Sequence, residues 1–114
     1  MLESAYEACL AFELMERGME VERQVMLPVM YKGQTIDCGY RIDLRVNGSV
    51  IVEIKAVEEL APVHDAQLLT YLKLSGCHVG LLLNFHVARL KDGLYRRLNA
   101  DALPPSSNKQ RRSA

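Results

Sequence analysis

The segment 39-GYRIDLRVNGSVIVEIKAV-57 is the most informative part of the chain, because two strand-like sequences lie on either side of a tight turn. In the first segment apolar residues alternate with charged ones, which predicts a strand with one apolar face. That face comprises Tyr40, Ile42, Leu44 and Val46. Asn47-Gly48 is the strongest short hairpin signal in the chain and predicts a type I′ turn that folds the second segment back onto the first.

The second segment, residues 49–57, is apolar on both faces except at Glu53 and Lys55. A strand that is apolar on both sides is typical of the centre of a sheet, with a layer packed on each face. Positions two apart in a strand share a face, so Glu53 and Lys55 project side by side. We therefore expect both charges on a central strand.

A third charged residue, Asp43, lies across the predicted turn from this pair. Counted back from the turn, Leu44 or Asp43 pairs near Ile51, and Asp43 is then within reach of Glu53. Two carboxylates and the ammonium of Lys55 would converge at one point. Such a cluster suits metal-assisted hydrolysis, because Mg²⁺ binds a few hard oxygen ligands and keeps several waters. The ion would polarise a phosphodiester and acidify the attacking water.

Glutamate and lysine at alternate positions are also common on solvated strand faces, so this pair alone does not distinguish a site from an ordinary surface. Against an ordinary surface, these charges interrupt an otherwise apolar run, where an unpaired buried charge is costly. Gln67 and Tyr71, four residues apart on the next predicted helix, share one face of that helix. They complete the order D…ExK…QxxxY, although a tyrosine packed on the sheet and a solvated glutamine also explain this last pair.

The region before the hairpin predicts a helix and a strand. Residues 2–17 have helical periodicity and end at Gly18, a typical helix stop. The predicted apolar face of this helix comprises Leu2, Ala5, Tyr6, Cys9 and Leu10. The period changes to two over residues 19–27, which predicts a strand disturbed at its far end by Pro28.

The region after the hairpin predicts a second helix over residues 64–75 and a buried strand over residues 78–85. Residues 87–98 suggest a short edge strand, and Lys32-Gly33 marks a turn ahead of the hairpin. The order αβββαβ predicts an α/β fold with a mixed central sheet flanked by helices. The strand after the second helix should return parallel through a crossover.

The composition narrows the class of protein. The 114 residues predict one domain, 1–98, and a polar, disordered tail, 99–114. The 14 basic and 14 acidic residues cancel, which disfavours a pure DNA-binding module. Three scattered cysteines disfavour a disulfide framework or zinc site and fit a reducing cytoplasm. No apolar run approaches a membrane span, and no signal peptide is recognisable.

The chain resembles the small GxxExxY proteins of the PD-(D/E)xK nuclease superfamily, and its D…ExK…QxxxY order is similar to that of RecB-like exonucleases. The stretches that carry the likeness are LESAY (2–6), VERQV (21–25), GYRIDL (39–44), VIVEIKAVEEL (50–60), VHDAQLLTYLKL (63–74) and VGLLLNFHVARLKDGLYR (79–96). The family glycine would fall just before Met1, so either the start has been placed late or the first helix is shortened. Ile42 stands where the superfamily's name has proline, which is often missing.

The resemblance implies a restriction-endonuclease-like core and a metal site for Mg²⁺ or Mn²⁺. Asp43 and Glu53 would bind the metal, and Lys55 would assist the attacking water. Gln67 would position this water or the substrate. Glu3 would be a further, helix-borne metal ligand, although a first-turn glutamate stabilised by the helix dipole explains it equally well.

Tyr71, His64 and Arg41 are further candidate substrate contacts. His64 precedes the second helix, where a histidine bonded to backbone or water is the simpler explanation. Arg41 and Arg45 share the face of Asp43. They either pair with its carboxylate, which we favour, or hold phosphate.

The function that these residues favour is a cytoplasmic nuclease-like enzyme acting on nucleic acid, with DNA favoured over RNA. The main alternative is a non-catalytic member of the same fold that acts as a binding or assembly module. A third is a homo-oligomeric structural protein, which would expose an apolar patch. A homodimer is compatible with all three, and no membrane partner is expected.

Overall fold

The computed structural model describes residues 2–87 and 90–100 of the chain. In chain order the elements are α1 (Glu3–Glu16), β1 (Val21–Met26), β2 (Val29–Tyr31), β3 (Gln34–Ile36), β4 (Arg41–Val46), β5 (Val50–Lys55), α2 (Pro62–Ser75), β6 (Val79–Asn84), a 3₁₀ helix (Leu90–Gly93) and β7 (Leu94–Leu98). None of these helices is long and apolar enough to cross a bilayer. Residues 101–114, most of the predicted tail, lie outside the described ranges.

Five strands form one mixed sheet in the order β1-β4-β5-β6-β7. β5 and β6 pair in parallel, and the other neighbours pair antiparallel. The predicted meander, the parallel return after the second helix and the edge strand are therefore confirmed. The remaining strands, β2 and β3, form a separate hairpin around the Lys32-Gly33 turn. Because each is only three residues long, its period was too short to predict from the sequence.

The core has two clusters, one between the sheet and each helix. The α2-side cluster contains Leu27, Ile42, Ile51, Leu68, Tyr71, Leu72, Cys77 and Leu82. The α1-side cluster contains Ala11, Leu44, Val46, Val52, Ile54 and Leu83. β5 contributes to both, which confirms it as a central strand covered on each face. α2 approaches β6 closely, because a Cβ atom at Gly80 would lie 2.7 Å from Leu68 Cδ1.

The predicted buried face of α1 was partly wrong. Leu2 and Cys9 are exposed, whereas Glu7 and Ala11 are buried. The flanking positions that pack on the sheet are Tyr6, Leu10 and Leu14. Glu7 lies in the middle of the buried stripe and interrupts its apolar period. Periodicity alone therefore predicted the wrong face of α1 as the one that packs on the sheet.

Strand β4 changes faces at its midpoint, so its predicted single apolar face was also wrong. Ile42 packs in the α2-side cluster and Leu44 in the α1-side cluster, although residues two apart in a regular strand point the same way. The residue between them is Asp43. The local departure from a regular pleat therefore occurs at the predicted site residue.

Strand β1 changes faces at the neighbouring position. Val21 packs against the α1-side cluster and Val25 against the α2-side cluster, despite their even spacing. Between them, Gln24 has a φ of +52°. The register of β1 with β4 places Gln24 opposite Asp43. The two strands thus depart from regular geometry side by side.

The hairpin between β4 and β5 contains one more residue than predicted. Asn47 and Gly48 both have positive φ, 52° and 68°, as a type I′ turn requires. Ser49 adds a third residue before pairing begins. Arg45, rather than either residue before it, therefore pairs with Ile51.

Asn99, the first residue of the predicted tail, is part of the fold. It is 5% exposed. Its Nδ2 donates to the carbonyl oxygens of Leu72 at 3.0 Å and Cys77 at 2.9 Å. These bonds tie the end of β7 to the end of α2.

Candidate active site

Two carboxylates face each other where β4 and β5 separate. Main-chain pairing of these strands ends at Leu44–Val52, and the next residues along them are Asp43 and Glu53. Glu53 Oε2 accepts a hydrogen bond from Asp43 N at 2.7 Å. Asp43 Oδ2 accepts one from Ile54 N at 2.8 Å. Each carboxylate therefore takes the place of a ladder bond and is held against the opposite strand.

The negative charges of Asp43 and Glu53 are only partly balanced by nearby positive charge. Glu53 is 3% exposed, and burial, followed by the negative charge of Asp43, raises its pKa from 4.5 to about 8. Burial also raises the pKa of Asp43. The ammonium of Lys55 acts in the opposite direction on both carboxyl groups. A divalent cation at this position would relieve the repulsion that remains.

Lys55 is the last residue of β5, and its backbone is held against β6. Its carbonyl oxygen accepts a hydrogen bond from Phe85 N at 2.8 Å, and it lies opposite Asn84 in the parallel register. By strand alternation from Ile51, Lys55 and Glu53 project towards α2. The structure therefore brings together Asp43, Glu53 and Lys55, as the sequence predicted.

Gln67 and Tyr71 border this cluster from α2. Gln67 Nε2 donates to Tyr71 Oη at 3.2 Å. Tyr71 is 4% exposed, and its pKa is raised by burial and then by the negative charge of Glu53. A shallow hollow of about 210 Å³ opens beside them, lined by Tyr40, Val63, Ala66, Gln67, Thr70 and Tyr71. The tyrosine thus lies between the carboxylates and an accessible surface.

Glu3 and His64 accept hydrogen bonds from backbone amides instead. Glu3 Oε2 accepts from Ala56 N at 2.8 Å, one residue beyond Lys55. His64 Nδ1 accepts from Ala61 N at 2.9 Å, which is the backbone-bonded arrangement expected of a histidine at a helix start. Neither of these two hydrogen bonds involves the carboxylate pair.

The predicted pairing of the two arginines with Asp43 was wrong. Arg41 binds both carboxylate oxygens of Asp37 at 3.2 Å. Arg45 binds Glu22 at 2.7 and 2.8 Å. Asp37 precedes Arg41 by four residues, and Glu22 lies opposite Arg45 in the register of β1 with β4. Each arginine therefore pairs with a neighbouring carboxylate other than Asp43.

Sequence reasoning missed a second polar cluster behind Asp43. Glu7, 5% exposed on α1, accepts from Arg23 Nε at 3.0 Å and from Gln24 Nε2 at 2.7 Å. Gln24 Nε2 also lies 3.3 Å from Asp43 Oδ1. The available signal was the spacing of Glu3 and Glu7, four residues apart on one helix face. Nothing in the sequence signals the left-handed backbone of Gln24.

The donor set fits Mg²⁺ or Mn²⁺ better than an ion that needs a complete protein cage. Within residues 2–87 and 90–100, no three His, Cys, Asp or Glu side chains are grouped to hold a metal. Asp43 and Glu53 offer two hard-oxygen carboxylates. Mg²⁺ is commonly bound by one or two carboxylates together with waters and substrate phosphates.

Comparison with known proteins agrees with this architecture. No curated protein matches the chain. One solved structure, "Crystal structure of SSO0001", matches with 20% identity and a TM-score of 0.61, a likeness of fold. The match covers 97% of this chain but 56% of that one, so the chain spans little more than half of that protein's length. The family model of the PD-(D/E)XK nuclease superfamily matches residues 1–98, and the chain therefore belongs to this superfamily.

Proposed function

We propose that the chain is a metal-dependent nuclease that hydrolyses phosphodiester bonds in nucleic acid. The observation that carries this proposal is the carboxylate pair of Asp43 and Glu53 at the divergence of β4 and β5, with Lys55 two residues further along. Membership of a nuclease superfamily supports nucleic acid as the substrate. As finer assignments, we place the chain among the GxxExxY proteins with a RecB-like QxxxY motif, acting in the cytoplasm on DNA rather than RNA. A homodimer is compatible with this function.

In this proposal Asp43 and Glu53 hold Mg²⁺ or Mn²⁺. When bound, the ion supplies Lewis-acid polarisation of the phosphate and a more acidic water. Glu53 must be ionised to act as a ligand, and a nearby cation favours its ionised form. The Lys55 ammonium offsets negative charge that develops on the phosphate or orients the attacking water.

Gln67 contributes the contact with water or substrate. Its Nε2 donates to Tyr71 Oη, and in this arrangement its Oε1 remains an acceptor. Tyr71 is buried and acts by holding Gln67 at the edge of the hollow. Glu3, bonded to Ala56 N, remains a candidate further ligand. His64 and Arg41, engaged with Ala61 and Asp37, are not assigned a part in the chemistry.

A non-catalytic binding or assembly module is the second candidate function. One observation favours it: Asp43 and Glu53 already bond to backbone amides, as purely structural carboxylates do. Such a module would have no requirement for a divalent ion.

An oligonucleotide cleavage assay separates the two functions. Single- and double-stranded DNA and RNA are incubated with the wild type and Asp43→Asn in Mg²⁺ or Mn²⁺. We expect cleavage of at least one substrate by the wild type and a loss of about 100-fold or more in Asp43→Asn. Asparagine can still accept from Ile54 N, so the fold should persist.

The matched control is Asp37→Asn, which removes the same charge from an exposed carboxylate paired with Arg41. Its cleavage rate should equal that of the wild type. If no substrate is cut with either ion, or if Asp43→Asn cuts as fast as the wild type, the nuclease assignment is wrong.

A further inference from the structure

Gln24 has a backbone conformation that its position in the sheet does not explain. Its φ of +52° lies in the left-handed region, which residues with side chains rarely adopt. The other such residues among those described, Lys32 and Asn47, lie in tight turns. Gln24 instead lies within β1. Conformations of this kind persist where the surroundings impose them, and they are concentrated at functional sites.

The side chain of Gln24 bridges two carboxylates. Its Nε2 donates to Glu7 Oε1 at 2.7 Å and to Asp43 Oδ1 at 3.3 Å. An amide nitrogen has two hydrogens, so both bonds can exist together, and two acceptors fix which end of the amide is the nitrogen. The amide therefore separates two negative charges and bonds to each.

Glu7 is held in turn from the far side. Its Oε2 accepts from Arg23 Nε at 3.0 Å, and its carboxylate is buried against the sheet. The result is a continuous chain of contacts from Arg23 through Glu7 and Gln24 to Asp43. The cleavage chemistry proposed above uses only the last of these four residues.

With this contact, both oxygens of Asp43 are engaged, Oδ2 by Ile54 N and Oδ1 by Gln24 Nε2. Hydrogen bonds to the groups that ligate a metal orient them and adjust the affinity of the site. We propose that Gln24, seated by Glu7, is a positioning residue that fixes the Asp43 carboxylate for the metal ion. The inference rests on the proposed function only in taking Asp43 as a ligand.

Gln24→Gly separates positioning from folding. Glycine adopts positive φ without strain, so the variant keeps the backbone conformation and loses the side chain with its two hydrogen bonds. We expect thermal stability close to that of the wild type and a 10- to 100-fold weaker affinity for Mg²⁺ or Mn²⁺ by calorimetry, roughly the usual effect of removing such a contact. Gln24→Asn, which also tolerates this backbone but has a shorter reach, serves as a second variant if the glycine variant unfolds.

Lys32→Gly is the matched control, because Lys32 has nearly the same φ, 50°, and lies in the β2–β3 turn. Its metal affinity should equal that of the wild type. Equal affinities for the wild type and the Gln24 variants would overturn the proposal.

A metal-free measurement keeps this inference distinct from the proposed function. The Ile54 amide donates to Asp43, so a loosened carboxylate should speed its hydrogen exchange roughly threefold to tenfold, relative to Val52 in the same strand. Unchanged Ile54 exchange in the Gln24 variants overturns the positioning role whatever the metal data show. Faster exchange together with no metal binding by the wild type supports the positioning of Asp43 and overturns only the nuclease proposal.

Discussion

Lys55→Ala should lower phosphodiester cleavage by about 100-fold or more while the protein stays folded. The ammonium of Lys55 acts on both site carboxyl groups, lowering the pKa of each. Its removal takes away the positive charge that the proposed chemistry places beside the scissile phosphate. The fold should tolerate the change, because the backbone bond of Lys55 to Phe85 does not involve the side chain. Cleavage rates and thermal unfolding of the same preparations measure the two effects.

Lys73→Ala is the matched control for this prediction. Lys73 is an exposed lysine in the last turn of α2, so its loss changes the net charge equally without touching the site. Cleavage by Lys55→Ala at the wild-type rate would exclude the role assigned to this lysine.

Glu53→Gln should remove the loss of stability that Glu53 causes in the metal-free protein as pH rises. Burial and the negative charge of Asp43 raise the pKa of Glu53 from its ordinary 4.5 to about 8. Between these values the folded state binds more protons than the unfolded state, so stability is fully present below pH 4.5 and falls as pH rises through 8. The cumulative loss should be on the order of 4 kcal/mol. Glutamine is neutral at every pH and can still accept from Asp43 N, so the variant should be the more stable protein at pH 8.

Urea unfolding at several pH values measures this effect, with Glu22→Gln as the control. The pKa of Glu22 is lowered by its hydrogen bond to Arg45, so its contribution is lost only as pH falls, and its replacement should leave the slope between pH 4.5 and 8 unchanged. Saturating Mg²⁺ should restore stability at pH 8 in the wild type and not in Glu53→Gln. A wild type whose stability is flat over this range would contradict the burial of an ionisable Glu53.

Local sequence rules were sufficient to predict which charged side chains lie close together on the sheet. Asp43, Glu53 and Lys55 could be placed together because hairpin pairing and strand alternation are local rules that depend on a few neighbouring residues. The parallel return of β6 was predicted separately, from the rule that a strand reached through a crossover helix returns parallel. Hairpin pairing failed by one position at the turn, because Ser49 adds a residue that Asn47-Gly48 alone does not reveal.

Features that depend on tertiary contacts could not be predicted in this way. The face change of β1 occurs at one left-handed residue, Gln24. Its conformation is stabilised by two carboxylates, Glu7 on α1 and Asp43 on β4. The burial of Glu7 within an apolar helix stripe could not be predicted, because it depends on hydrogen bonds from Arg23 and Gln24. The choice of Asp37 by Arg41, in place of Asp43, likewise depends on distances that periodicity does not encode.

Asp43 and Glu53 are the proposed ligands of a divalent metal ion. Calorimetric titration of Mg²⁺ and Mn²⁺ into the wild type and into Asp43→Asn/Glu53→Gln tests this proposal most directly, first without and then with an oligonucleotide that supplies phosphate ligands. We expect saturable binding by the wild type that is absent from the double variant, with both proteins folded. Absence of binding by the wild type under both conditions, or equal binding by the two proteins, would contradict the proposal.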